Sequence, residues 1–124
     1  MASKPVLLSA LFDQFTAFLV ELKEMYPDDT DFPMFVTSIR ITRTANPSIL
    51  PKYISELAGG FEEQIMKKDE HFFLENEYSE YSSYVNMDIF GKLKKYFTGM
   101  SQESKDNVWK YCQNIMRLSK AYHS

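Results

Sequence analysis

The sequence predicts an all-α single domain, an irregular bundle of five to six helices packed around the first helix and the last. Apolar residues recur at helical spacing in the stretches 5–26 and 101–122. Pro, Gly and an Asn-Pro step cut the remainder into pieces of helix length. A lone strand in the one ambiguous piece would find no pairing partner elsewhere in the chain. With 124 residues, 44% apolar and 25% charged, the chain has the size and composition of one globular domain, 1–124. Such a length buries a core without staples, and the single Cys112 excludes an internal disulfide.

The last stretch organises the rest. Ser101 suits an N-cap, and Glu103 and Asp106 place negative charge near the positive end of a helix. At 100° per residue, Val108, Trp109, Tyr111, Cys112, Ile115, Met116, Leu118, Ser119 and Tyr122 cover roughly half the circumference. A stripe that wide is more than a two-helix contact requires, so this helix is expected to be gripped by several others.

In chain order, Pro5 opens a first helix over 5–26, with Leu8, Leu11, Phe12, Phe15, Phe18, Leu19, Leu22 and Met25 on one face; Pro27-Asp28-Asp29 ends it. Residues 31–44 follow, with Thr30 or Asp31 as cap and Phe32, Phe35, Val36 and Ile39 as a helical stripe. Ile39-Arg40-Ile41-Thr42 also alternates like a strand, so residues 35–42 carry both signals. Asn46-Pro47 breaks the chain before a helix over 48–58, which Gly59-Gly60 stops. A short helix is expected over 61–68, with Phe61 and Ile65 inward. Residues 69–83 are the least regular and read as a surface loop or 3₁₀ segment, with Phe72, Phe73 and Leu74 tucked inward. A helix over 85–98 carries Val85, Ile89, Phe90, Leu93, Tyr96 and Phe97; its short link to the last helix predicts that the two pack as a pair.

The net charge of −3 conceals a gradient. Residues 61–81 hold seven acids against two lysines, whereas residues 91–124 hold seven basic residues against two acids. Such asymmetry can steer a partner or can belong to two solvated faces. No run approaches the ~20 apolar residues of a bilayer span, and Asp13 interrupts the leader-like run after Lys4. The expectation is an intracellular protein without a membrane role.

Residues able to carry chemistry are sparse. His71 stands near Asp69, Glu70 and Glu75, but without a second His or a Cys it makes a poor transition-metal set. Cys112 falls on the predicted core face, where a thiol acts as a small apolar group. Gly59-Gly60 lacks the pattern of a phosphate cradle. No catalytic, cofactor-binding or metal residues are therefore assigned, and the chain is read as non-enzymatic.

Two binding surfaces remain. Met34 and Ile41 lie across the second helix from Phe35 and Ile39, and Tyr78, Tyr81 and Tyr84 recur every three residues among acids and serines. Together they form a candidate surface for a protein partner, a second copy of the chain included. The alternative is a nucleic-acid surface made of Lys92, Lys94, Lys95, Lys110, Arg117 and Lys120 if the last two helices lie side by side. The acidic total and the scarcity of arginine weigh against it.

Leu11-Phe12-x-x-Phe15-x-x-Phe18-Leu19-x-x-Leu22, Pro27-Asp28-Asp29, Asp69-x-x-Phe72-Phe73-Leu74 and Lys105-Asp106-Asn107-x-Trp109-Lys110-Tyr111 resemble segments of small helical proteins encoded by large DNA viruses of algae and other protists. The likeness spans most of the chain, and its motifs are structural. It implies an intracellular viral factor or virion component that acts by binding, with no catalytic residues to transfer.

Overall fold

Two helices of 22 residues each, α1 (Lys4–Met25) and α7 (Gln102–His123), form the frame. In the computed structural model, which describes residues 2–75 and 87–124, both start from a capping serine. Ser3 Oγ accepts from the Val6 amide, and Ser101 Oγ accepts from the Ser104 amide at 3.1 Å. The pair is antiparallel along its length: Lys4 lies over the Tyr122 ring, Gln14 meets Asn114, and Phe18 stacks on Tyr111. Six apolar residues of α1, from Leu11 to Leu22, are buried. The same apolarity gives α1 the length and composition of a bilayer span, with a mean hydropathy of 1.4 in its most apolar part. That departs from the sequence expectation that no run comes close; in this fold the helix spends its apolar face on the core.

α2 (Asp31–Ala45) packs back on α1. Phe32, Phe35, Val36 and Ile39 face inward, while Arg43 clamps Asp13 (2.8 Å) and the Ser9 hydroxyl (2.9 Å). The strand-like run resolves as helix. Ile39 is buried and Ile41 exposed, as a 100° step requires, and the Thr42 hydroxyl donates to the Ser38 carbonyl one turn back. Thr30 holds the cap position without a side-chain bond; Asp29 Oδ1 accepts from the Asp31 amide instead, at 3.0 Å.

α3 (Ile49–Ala58) lies on α7, with Pro51 in its first turn. Gly59-Gly60 does not stop the chain in a left-handed cap. Gly59 keeps φ at −61°, and a 3₁₀ turn, Gly59–Phe61, leads into α4 (Glu62–Met66). The left-handed stop comes later, at Lys68, where φ is 57°. Around it the Lys68 amide bonds to Ile65 O and the Asp69 amide to Gln64 O, the paired bonds of a Schellman motif. The sequence predicts irregular chain from residue 69. Its first part is instead α5 (Glu70–Glu75), started by Asp69 Oδ1 accepting from the His71 amide. Tyr78, Tyr81, Tyr84 and Val85 lie outside the described residues.

α6 (Ile89–Tyr96) begins later than the expected residue 85, because Asp88 caps it: its Oδ1 accepts from the Gly91 amide at 2.9 Å. A Cβ on Gly91 would stand 2.1 Å from Asp88 Oδ2, so glycine leaves room for the cap. A 3₁₀ turn, Phe97–Gly99, joins α6 to α7. The short link predicts an antiparallel or crossed pair; α6 and α7 do not run alongside each other for their length and meet through side chains. The main neighbours of α6 are α5 and this turn, whereas α7 is held by α1, α3 and α4. The link packs on α7 with Phe97 edge-on to Trp109 at 5.6 Å, and Ile89 and Phe90 of α6 share a cavity wall with Cys112 and Met116 of α7. All regular structure among the described residues is helical, and the buried side chains form one cluster.

Candidate functional site

The outer side of α2 is built by its register. Burying Phe32, Phe35, Val36 and Ile39 against α1 turns positions 34, 37, 38 and 41 outward. Met34 is 52% exposed and Ile41 61% exposed, on one stripe seven residues apart, with Thr37 and Ser38 between them. Covering both apolar side chains would contribute about 3 kcal/mol at most, so polar contacts must add to any firm docking there. Val6 at the start of α1 is the other large apolar side chain exposed among the described residues.

Five cations of the alternative surface have distinct surroundings. Lys92 is turned into a carboxylate pair, 2.8 Å from Asp29 and 2.7 Å from Asp31. Lys95 borders the same depression as Lys92, beside Tyr26 and Tyr96. Lys110 lines a polar groove of about 380 Å³ between α1 and α7, together with Gln14, Glu21 and Tyr111. Arg117 donates to Asn114, and Lys120 reaches Glu62 of α4 at 2.9 Å. Lys105 pairs with Glu70 at 3.4 Å. Two pairs, Lys105–Glu70 and Lys120–Glu62, thus join the opposed charge blocks of the sequence, and Lys92 is drawn away to Asp29 and Asp31.

The most organised polar group was not anticipated. Asp29, its side chain 8% exposed, receives Lys92 Nζ, the Tyr96 hydroxyl and the Asp31 amide. Burial opposes its charge, but the bonds from Lys92, Tyr96 and the Asp31 amide outweigh burial and hold its pKa down at about 2. For Lys92, desolvation pulls the pKa down and the two carboxylates more than restore it, leaving it raised. The bond to Asp29 raises Tyr96. The Tyr26 ring stacks on Tyr96 with centroids 3.9 Å apart, and Lys92 also sits over the Phe32 ring. Every charge here is answered, so the arrangement fastens α6 to the α1–α2 turn rather than presenting a reactive group.

Cys112 stands in the core, where burial pushes its thiol up to about 12. It borders an apolar cavity of about 40 Å³ shared by α1, α3, α4, α6 and α7, with Phe15, Ile65, Phe90 and Met116 among its walls. Tyr53 also lines it and donates its hydroxyl to the Met87 carbonyl, and burial raises its pKa strongly. His71 is exposed on α5, and His123 lies 3.4 Å from the Pro51 carbonyl. Among the described residues no three His, Cys, Asp or Glu side chains gather as a metal-ligand set.

Neither a protein-family model, a curated protein nor a solved structure matches this chain.

Proposed function

We propose that the chain acts by binding, as a non-enzymatic protein-interaction or assembly module whose contact surface is the outer face of α2. One observation supports it above the others: Met34 and Ile41 stay more than half exposed on a helix whose opposite face is fully covered. Small, uncharged Thr37 and Ser38 between them allow another backbone to come close. The resemblance to viral helical proteins extends this reading to an intracellular viral factor or virion component. The nucleic-acid alternative has less support, because Lys92 and Lys120 are engaged with carboxylates of the same chain.

Light scattering over a concentration series and partner capture, each with and without Met34→Glu and Ile41→Glu, test the proposal. Association that the two substitutions abolish is the expected result. A strict monomer with no captured partner, or association indifferent to both substitutions, overturns it.

A further inference from the structure

We infer that α6 opens from the frame as a unit, held shut along one side by Asp29, Lys92 and Tyr96, and that its opening uncovers Cys112. The frame helices meet backbone to backbone: α1 on α7, α1 on α2, α3 on α7. α6 reaches that frame through side chains. At its start Ile89 and Phe90 close one wall of the cavity that Cys112 borders. One turn further Lys92, and at its end Tyr96, hold Asp29 across 63 and 67 residues of sequence. The cavity of about 40 Å³ lies under the first turn, so the apolar grip is incomplete on that side. An eight-residue helix has little stability of its own; Ile89, Phe90 and Leu93 anchor it in the core, and the polar fastening holds the outer side. Segments attached in this way open below the free energy of global unfolding.

Cys112 is a built-in reporter of the opening. It is the one cysteine of the chain, and in the closed form its raised pKa and burial keep it from a thiol reagent. Labelling with a disulfide reagent near neutral pH, followed in parallel with amide hydrogen exchange, reads both ends of the device. Asp29→Asn is expected to speed Cys112 labelling tenfold or more and to strip protection from residues 89–97 while α1 and α7 keep theirs. Tyr96→Phe, which retains the ring stack on Tyr26, is expected to act in the same direction with a smaller change, and serves alone if Asp29→Asn does not fold. An unchanged labelling rate overturns the inference. So does protection that falls in α1 and α7 in step with α6, because the fastening would then belong to global unfolding.

Discussion

The side chain of Lys92 lies 2.8 Å from the carboxylate of Asp29, joining a helix in the last third of the chain to the turn that follows the first helix. Asp29 is the better protected partner, and its charge is stabilised by three donors. Asp29→Asn removes the negative charge without removing the shape. It is expected to cost about 1.5–3 kcal/mol, the range for hydrogen bonds to a charged group, measured by urea denaturation.

The same carboxylate sets a pH dependence. Its folded-state pKa is lower than its unfolded one, so the stabilisation is fully present above about pH 4 and is lost as pH falls toward 2. Acid titration of the wild type against Asp29→Asn checks this: the stability difference between them shrinks across that window and is flat from pH 5 to 8.

Trp109 is 2% exposed and meets Phe97 edge-on. Trp109→Ala is expected to cost roughly 3–5 kcal/mol and to lower the melting temperature by about 10 °C or more, followed by circular dichroism.

Lys68 holds a left-handed backbone, φ 57°, in the stop between α4 and α5. Glycine adopts that conformation without the Cβ penalty. Lys68→Gly should therefore stabilise the fold by about 0.5–1 kcal/mol, seen as a higher denaturant midpoint at unchanged slope.

Met34→Glu and Ile41→Glu touch no packed side of α2. Each is expected to shift stability by less than about 0.5 kcal/mol, so that any loss of association in these variants reflects the surface and not the fold. Thermal melts beside the binding assays check it.

The parts of the fold legible in the sequence are those where periodicity is long. α1 and α7 each run for six turns, and burial of Trp109, Cys112 and Ile115 follows from position on the helix. Exposure of Met34 and Ile41 was readable as a surplus, since Phe35 and Ile39 already supply a core face. The Asp29 fastening was not readable. Pro27-Asp28-Asp29 carries the signature of a helix end, and nothing local says that Asp29 turns inward while Asp28 stays exposed. Lys92 looked like one of several surface cations because its partners are 63 and 61 residues away. The late start of α6 was hidden for a different reason: Asp88 fits an exposed helix position as well as a cap, and only its bond to Gly91 distinguishes the two.

The pairing of Lys105 with Glu70 and of Lys120 with Glu62 bears on how other molecules meet this one. Opposite charges held this close cancel each other's field beyond roughly a Debye length, about 10 Å in ordinary buffer. At these two contacts the paired charges therefore do little to steer an incoming molecule, whatever the salt.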